Sequence, residues 1–430
     1  MRVGILAQPT DVLPHGSLAI WIVEVASRLS EQHDVTVYSR WGGDNDSLDH
    51  LFRHVRVKKR LEDAMTRRFR TLENRLERVV GRPVDYYYRH YYYRDYFSLG
   101  YVLKAARRIR QRGEDAVVVM NFSHSLPLLR RLCPRSRLVL SMHCDWLVEL
   151  PYEAVQPRLQ AADLVVGCSD YIRDGIRGRF PSLSAPIETL YNGSSSESLT
   201  RESRGQSNET LALKSDREKV VLFVGRVTPE KGVHVLIRAM KRVLARVPEA
   251  VLVVIGPVAP NPPSPRVYGS SSGPEVEFER QKLGYWQHLH SLAAPFGDRV
   301  RFLSRLPHGE LGPWYEAAEV FVHPALWQEP FGMILTEAMA FSCPIVSTES
   351  GGIPEIVLHR KTGLLVERGD SNALADAITE LLVNPDRARA MGRAGRARLE
   401  RNFSWDRTAS RLSELLIRLD SPTIAASSSE

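Results

Sequence analysis

The feature that most constrains the fold of this 430-residue chain is a repeated alternation of short apolar segments with longer amphipathic ones. In the first half, strands are predicted at "RVGILA", "DVTVYS", "VRVKK", "AVVVMN", "LVLSMH" and "DLVVGCS". In the second half, they are predicted at "KVVLFVG", "AVLVVIG", "RVRFLS", "VFVHPA", "PIVSTE" and "TGLLVE". Short β-branched strands separated by helix-length segments are typical of parallel sheets with crossover helices, so the predicted fold class is α/β.

The two halves are predicted to be separate domains, because a chain of this length exceeds what one hydrophobic core usually serves. Residues 198–216 are Ser-rich and charged and contain few apolar side chains, which is the composition of a linker. We therefore predict Rossmann-like domains at residues 1–197 and 217–400, facing a cleft where ligands meet the carboxyl ends of the strands. A C-terminal helix at 401–420 and a disordered tail at 421–430 complete the predicted organisation.

Composition indicates an ordinary globular protein, with 43% hydrophobic and 25% charged residues. No apolar run approaches the length of a membrane-spanning helix, and the N-terminus has the pattern of a first strand rather than of a signal peptide. The four cysteines have neither C-x-x-C nor metal-binding spacing, which fits a reducing compartment. We therefore expect a cytoplasmic protein.

Positive charge is concentrated in residues 51–112, which hold 18 Lys and Arg against 6 Asp and Glu. Within this region the stretch "DYYYRHYYYRDYFSLGY" (Asp85–Tyr101) contains eight of the 15 tyrosines. Rings at helical spacing can be core packing. Alternatively, the rings with Arg89 and Arg94 can bind a sugar or lipid-linked acceptor, or bring the protein to the membrane as a peripheral contact at its inner face. Single-stranded nucleic acid is a third interpretation, but no RRM, KH or helix-turn-helix pattern accompanies it.

The stretch "HPALWQEPFGMILTEAMAFSCPIVSTESGGIPEIV" combines two carboxylates with a predicted strand–loop–helix connection. The strand ends near Pro324, the loop carries Glu329, and a helix begins around Gly332, with Glu337 one to two turns inside it. Backbone N–H groups at a helix start bind anions or hydroxyl groups, and carboxylates suit the vicinal hydroxyls of a sugar. The alternative is that Glu329 is an ordinary loop residue and Glu337 a helix-surface residue.

The stretch "FVGRVTPEKGVHVLIRAM" places two cations near a second predicted helix start. Thr228 is predicted to cap a helix whose first residue is Pro229. Arg226 and Lys231 then flank a positive helix end, which describes a diphosphate site, although both can also be plain surface cations. Neither half has the G-x-G-x-x-G turn after its first strand, which argues against an NAD enzyme.

Together these motifs resemble the family 4 glycosyltransferases of the GT-B fold. The resemblance runs through "GRVTPEKG", "EPFGMILTEAMA", "SGGIPEIV", "KTGLLVERGD" and "FSWDRTASRL". It implies a retaining enzyme that moves a sugar from a nucleotide-diphosphate sugar to an acceptor hydroxyl on a glycan, glycolipid or small-molecule glycoside. It implies no metal or other cofactor, and a last helix that crosses back to the first domain.

The resemblance also implies roles for individual residues. Glu329 contacts the donor sugar, Glu337 binds the ribose, and Arg226 with Lys231 hold the pyrophosphate and stabilise the charge that develops on it. In the first half, "LPHGSLAIWIVEVASRL" resembles the family's glycine loop, and "LSMHCDW" places His143 beside the transferred sugar. The implied catalytic set is Arg226, Lys231, Glu329 and His143, and the implied donor-binding set is Gly16, Glu337, Phe331, Gly332 and Met333.

Two other functions stay open at this point. An epimerase or hydrolase of sugar nucleotides would share the phosphate and ribose contacts but would need an acid–base pair at the sugar, and no clear pair is visible. A non-catalytic sugar-binding protein would retain the fold alone. The acidic pair Asp44 and Asp46 has the D-x-D spacing of a metal site, but in a polar loop it is better interpreted as solvated.

Overall fold

The computed structural model describes residues 1–8, 16–40, 51–57, 98–200, 217–257 and 284–420, which form two compact units. Unit 1 comprises Met1–Asn192 together with the segment that starts at Trp405, and unit 2 comprises Gly193–Ser404. The chain thus passes from unit 1 to unit 2 after Asn192 and returns to unit 1 at Trp405. The predicted limits were 197, for the end of the first domain, and 401, for the start of the C-terminal helix. Most of the predicted linker, the tail and the acidic D-x-D pair lie outside the described residues, and so do Arg89, Arg94 and the tyrosines at 86–96.

Unit 1 is built on a seven-stranded sheet in which all neighbouring strands are parallel. Its strands are β1 (Arg2–Leu6), β2 (Asp34–Arg40), β3 (Arg53–Val57), β4 (Ala116–Met120), β5 (Arg137–Met142), β6 (Leu164–Gly167) and β7 (Ile187–Thr189). The order is β3–β2–β1–β4–β5–β6–β7, so the direction of winding reverses between β1 and β4. Strand β4 is buried along its whole length, as expected where helices cover both faces of a parallel sheet.

Helices connect the strands of this sheet. They are α1 (Ser17–Leu29), α2 (Leu99–Arg112), α3 (Leu126–Leu132), α4 (Trp146–Glu149), α5 (Tyr152–Leu159) and α6 (Asp170–Arg179). The C-terminal helix of the chain, Trp405–Asp420, also packs in this unit. Its buried side chains Trp405, Leu412 and Leu416 recur at helical spacing. Asp406 of this helix accepts a hydrogen bond from Arg28 of α1 (2.5 Å), and the two side chains form an ion pair.

Unit 2 contains a six-stranded parallel sheet with the same pattern of winding. Its strands are β8 (Lys219–Val224), β9 (Ala250–Ile255), β10 (Val300–Leu303), β11 (Val320–His323), β12 (Ile345–Thr348) and β13 (Leu364–Val366). The order is β10–β9–β8–β11–β12–β13, so the winding reverses between β8 and β11. Ligands of doubly wound sheets bind outside the carboxyl ends of the strands at this point.

The helices of unit 2 complete its core. In chain order they are α7 (Ser196–Thr200), α8 (Val233–Arg246), α9 (Tyr285–Ala293), α10 (Gly312–Ala317), α11 (Met333–Ala340), α12 (Ile353–Ile356), α13 (Ser371–Val383) and α14 (Pro385–Asn402), with Trp405–Asp420 of unit 1 as α15. Leu236, Met240 and Val243 lie on one face of α8 and pack in the same apolar cluster as Leu374 and Ile378 of α13. This packing fixes α8, and with it the turn that precedes α8.

The α/β prediction is confirmed, since each of the 12 predicted strand segments contains a strand. Strand β7 was not predicted, because three residues that include Glu188 and Thr189 are too short and too polar to show a periodic pattern. Tyr101, near the start of helix α2, is a core residue whose hydroxyl donates to the carbonyls of Ala7 and Tyr38, as the interpretation of core packing expects for this ring. No helix in the described ranges is both long enough and apolar enough to cross a membrane.

Candidate functional site

Two loops meet at the point in unit 2 where the winding reverses. The first follows β8 and contains Arg226 and a single 3-10 turn, Pro229–Lys231. The second follows β11 and runs to the start of α11. The Leu326 N–H donates to the carbonyl of Glu230 (2.9 Å), which joins the two loops directly. Residues that are about 100 positions apart in the sequence are thereby held side by side.

A helix begins at Pro229 as predicted, but it is a single 3-10 turn and not the start of the long α-helix. The 3-10 turn ends at Gly232, whose φ of 71° is left-handed, and α8 begins at Val233. Thr228 makes no side-chain capping hydrogen bond to this turn. The glycine turns the chain before the helix can start, so Lys231 belongs to the turn and its side chain reaches the loop after β11.

Lys231, His323, Trp327 and Glu329 form a buried group that we call the Lys231–Glu329 cluster. Glu329 Oε2 accepts hydrogen bonds from Lys231 Nζ (2.6 Å), Trp327 Nε1 (3.0 Å) and His323 Nε2 (3.1 Å). Lys231 Nζ also lies 4.9 Å from the centroid of the Trp327 ring, a cation–π distance. The alternative interpretation of Glu329 as an ordinary loop residue is excluded, because its carboxylate is buried and held by three donors.

The charges within this cluster are mutually stabilised. Burial alone would raise the pKa of the Glu329 carboxyl, but the Lys231 charge and the His323 hydrogen bond hold it well below its usual range. Burial lowers the pKa of His323, against the opposing effect of Glu329, so the imidazole is neutral and donates from Nε2. Lys231 and Glu329 therefore form a buried ion pair, and His323 and Trp327 donate two further hydrogen bonds to its carboxylate.

Arg226 differs from Lys231 in being largely exposed, with 57% of its side chain accessible. Its guanidinium lies 3.7 Å from the carboxylate of Glu230, which is completely buried. Neither carboxylate oxygen of Glu230 has a hydrogen-bond partner within the described part of the chain. A buried charge is costly unless it is paired, so Arg226 is the cation that compensates Glu230. Because the Arg226 side chain is largely exposed, its guanidinium can also bind an anion from the solvent side.

Glu337 lies in the second turn of α11 and is also buried, so it is not a helix-surface residue. Its Oε2 accepts from the Tyr315 hydroxyl (2.8 Å), and its Oε1 lies 3.1 Å from His308 Nε2. Burial and the nearby carboxylate raise the pKa of Tyr315 well above its usual value, so the hydroxyl remains a donor. His308 is partly exposed and is the donor that a ligand hydroxyl can replace.

The helix start predicted at Gly332 is confirmed. Gly332 precedes the first helical residue, Met333, which is half-buried. Phe331 is buried and packs edge-on against Phe403, with ring centroids 5.9 Å apart. Phe331 therefore anchors the loop that carries Glu329, and the first N–H groups of α11 are positioned beside it.

One predicted residue of unit 1, His143, lies at the carboxyl end of a strand. His143 follows β5. Its backbone N–H donates to Asn121 Oδ1 (2.6 Å), and its Nε2 lies 3.0 Å from Ser141 Oγ. The ring of Trp21 meets it edge-on at 5.3 Å. Burial lowers the pKa of His143 to about 4, against a smaller opposing effect of Asn192, so the imidazole is neutral near pH 7.

Gly16 is exposed and precedes α1, and its carbonyl accepts the first helical hydrogen bond from Ile20 (2.9 Å). It thus lies at a helix start. The preceding part of that loop, residues 9–15, lies outside the described residues.

Four residues of the site were missed in the sequence analysis: His308, Tyr315, His323 and Trp327. A signal existed for His323, because a polar residue at the carboxyl end of a buried strand is a candidate site residue. The two partners of Glu337 come from 22 and 29 positions upstream, and no local pattern indicates such a contact. No cluster of metal-binding side chains is present in the ranges that the structure describes.

Comparison with known proteins accounts for both units. The family model "Glycosyltransferase Family 4" matches residues 18–197, and the model "Glycosyl transferases group 1" matches residues 208–398. Among solved structures, HepE from Anabaena in complex with UDP and glucose superposes with a TM-score of 0.69 at 19% identity. The match covers 97% of this chain and 100% of that one. HepE therefore supports the fold.

Curated relatives extend this result to the family. The spore coat protein SA of Bacillus subtilis is 26% identical over 429 residues, which are 96% of this chain and 98% of the relative. A GDP-mannose-dependent alpha-(1-6)-phosphatidylinositol monomannoside mannosyltransferase of Mycolicibacterium smegmatis is 31% identical over 331 residues, 73% of this chain and 79% of the relative. The resemblance found in the sequence motifs is confirmed: the chain belongs to the family 4 glycosyltransferases of the GT-B fold and is a glycosyltransferase.

Proposed function

We propose that this glycosyltransferase moves a sugar from a nucleoside-diphosphate sugar to an acceptor hydroxyl, with retention of the anomeric configuration and without a metal ion. The observation that carries the proposal is the Lys231–Glu329 cluster. A buried cation and a buried carboxylate are paired (2.6 Å) where the winding of the unit 2 sheet reverses. One ligand that has both phosphates and sugar hydroxyls can contact both groups.

Lys231 and Arg226 supply the positive charge for the diphosphate. Both residues follow β8. The 3-10 turn that contains Lys231 and the start of α8 add backbone N–H groups, which bind anions. As the bond from the anomeric carbon to the phosphate oxygen breaks, that oxygen takes the electron pair and becomes more negative. Cations that are already in position stabilise this charge without reorganisation.

Glu329 and Glu337 supply hydrogen-bond acceptors for hydroxyl groups. We assign Glu329 to the transferred sugar and Glu337 to the ribose, where a ribose hydroxyl can take the place of the partly exposed His308. Phe331, Gly332 and Met333 hold the helix start between these two carboxylates. For His143 and Gly16 we propose contacts with the transferred sugar and with the donor phosphates, respectively.

The acceptor hydroxyl forms the new bond to the anomeric carbon and loses its proton to the departing phosphate. This step needs no carboxylate nucleophile and no acid–base pair of the kind that glycosidases use. It also fits the chemistry of the cluster, because the Glu329 carboxyl is held ionised by Lys231 and is therefore a poor proton donor. An epimerase or hydrolase would need a group beside the sugar that can donate a proton.

Nucleotide binding tests this proposal. In thermal-shift titrations with UDP, GDP and ADP, we expect one nucleoside diphosphate to raise the unfolding temperature by about 5–11 °C at a hundredfold excess over its Kd. Glu337→Ala is expected to weaken that nucleotide by about 1–3 kcal/mol, because one or two hydrogen bonds to the ribose are lost. The exposed Glu400, on α14, provides the matched control, Glu400→Ala. Binding of none of the three nucleotides would contradict the proposed function.

For the acceptor we propose a sugar or a lipid-linked sugar, reached at an anionic membrane surface. The supporting feature is a groove of about 740 Å³ in unit 1 that is lined by β3 and α2. Four cations line it: Arg56, Lys104, Arg107 and Arg108. Amphipathic basic helices bind acidic headgroups. The mycobacterial relative is named for a phosphatidylinositol monomannoside, a sugar linked to an anionic lipid of the kind proposed here as acceptor.

Vesicle binding tests the membrane contact. We expect the protein to co-sediment with vesicles that contain phosphatidylserine, and Arg107→Glu/Arg108→Glu to reduce the bound fraction several-fold, roughly 1 kcal/mol for each basic residue near the surface. Arg131→Glu/Arg135→Glu, at two other exposed positions of unit 1, makes the same change of charge and is expected to retain binding. Equal losses in both variants, or binding to a single-stranded oligonucleotide instead of vesicles, would contradict this contact.

A further inference from the structure

The two oxygens of the Glu329 carboxylate have different surroundings. All the hydrogen bonds that described residues make to this carboxylate end on Oε2, from Lys231, His323 and Trp327. Oε1 accepts no hydrogen bond from these ranges, and it is not fully shielded from solvent. Oε1 is therefore accessible to a ligand, while Oε2 fixes the orientation of the group.

The same carboxylate neutralises Lys231. The Nζ to Oε2 distance is 2.6 Å, and both side chains are about nine-tenths buried. Two charges this close in a partly dry environment interact strongly, so a phosphate that approaches Lys231 competes with Glu329 and is also repelled by it. Glu329 thus opposes the binding of any phosphate at Lys231.

We propose that Glu329 makes the site discriminate between the nucleotide sugar and the nucleoside diphosphate, strengthening the binding of the first and weakening the binding of the second. The inference rests on the proposed function. A nucleotide sugar carries hydroxyl groups that donate to Oε1 and offset the repulsion. A nucleoside diphosphate has no such donor, and its terminal phosphate carries a second ionisable oxygen with a pKa of about 6, so it meets more repulsion.

This discrimination has a consequence for turnover. The nucleoside diphosphate is what remains at Lys231 and Arg226 after the sugar has been transferred. Loss of the sugar removes the favourable contact with Oε1 and leaves only the repulsion. Glu329 therefore favours release of the nucleotide product from the residues that bound the donor.

Calorimetric titration of wild type and Glu329→Gln with UDP, UDP-glucose, GDP and GDP-mannose tests the inference. Glutamine keeps the shape of the side chain and removes its charge. For the base that binds wild type, we expect the nucleoside diphosphate to bind about tenfold more tightly to the variant, because the repulsion is gone. The nucleotide sugar is expected to bind about fivefold more weakly, because a hydrogen bond to a charged oxygen is replaced by one to a neutral oxygen.

Two further variants make the result interpretable. Glu329→Asp keeps the charge but shortens the side chain, so it is expected to weaken the nucleotide sugar while nucleoside diphosphate binding stays as weak as in wild type. Glu400→Gln, at an exposed carboxylate of α14, is expected to leave both affinities unchanged. Thermal unfolding of each variant confirms that it is folded at the titration temperature.

The outcomes separate the inference from the function on which it rests. Opposite changes for the two ligands in Glu329→Gln support the inference. If wild type binds both ligands and Glu329→Gln weakens them equally, Glu329 is a structural or general binding residue and the inference is overturned. If wild type binds neither a nucleoside diphosphate nor a nucleotide sugar, the proposed function is overturned and the inference with it.

Discussion

Lys231→Ala is expected to lower kcat by about 10²–10³-fold, the effect of removing one preorganised group that stabilises transition-state charge. The loss in donor affinity should be smaller, because the phosphate charge that Lys231 faces grows as the anomeric bond breaks. Initial-rate kinetics with the nucleotide sugar that supports turnover measure kcat, and direct binding of the same nucleotide sugar measures donor affinity. Equal losses in kcat and in affinity would mean that Lys231 acts in ground-state binding alone.

Stability has to be controlled in this experiment. Removing Lys231 leaves the buried Glu329 carboxylate without its cation, at a cost of about 3–5 kcal/mol if the charge stays. The double variant Lys231→Ala/Glu329→Gln removes both charges and is expected to recover much of the stability without recovering kcat. Lys241→Ala, at an exposed position of α8, changes the same residue type outside the site and is expected to leave both unchanged.

Gly232→Ala is expected to destabilise unit 2 by about 3 kcal/mol or more, the sum of backbone strain and of steric overlap. A Cβ at this position would lie 1.9 Å from the carbonyl oxygen of Pro324, a backbone atom that cannot rotate away. Either the turn after β8 or the loop after β11 must move, and these loops carry Lys231 and Glu329. Thermal unfolding should show a midpoint lowered by about 6–12 °C for a unit of this size, with a parallel loss of activity.

Gly369→Ala is the matched control for this substitution. Its φ of 79° is close to the 71° of Gly232, but the nearest atom to a Cβ there is a leucine methyl at 3.9 Å. The control therefore pays only the strain of a left-handed alanine, about 1–2 kcal/mol. If the two variants lost the same stability, the close approach of the two loops would not be the reason for glycine at 232.

All strands of both sheets except β7 could be predicted from the sequence alone. Buried parallel strands are apolar along nearly their whole length, so β4 and β8 are visible as continuous apolar runs rich in valine. The motifs around Arg226, Glu329 and Glu337 were also visible, because glycine and proline mark loop geometry locally. Short polar elements such as β7 carry no such pattern, because their stability comes from the neighbouring strand.

The contacts that make up the candidate site were decided by the tertiary structure. Lys231 and Glu329 are 98 positions apart, and nothing local indicates that they form a buried pair. The sequence suggested a helix at Pro229, yet the chain turns at Gly232 because the loop after β11 packs against it. The donors to Glu337, Tyr315 and His308, come from a separate segment. Periodicity and turn chemistry act over a few residues, whereas the pairing of buried charges depends on which strands become neighbours, and only the folded sheet brings β8 beside β11.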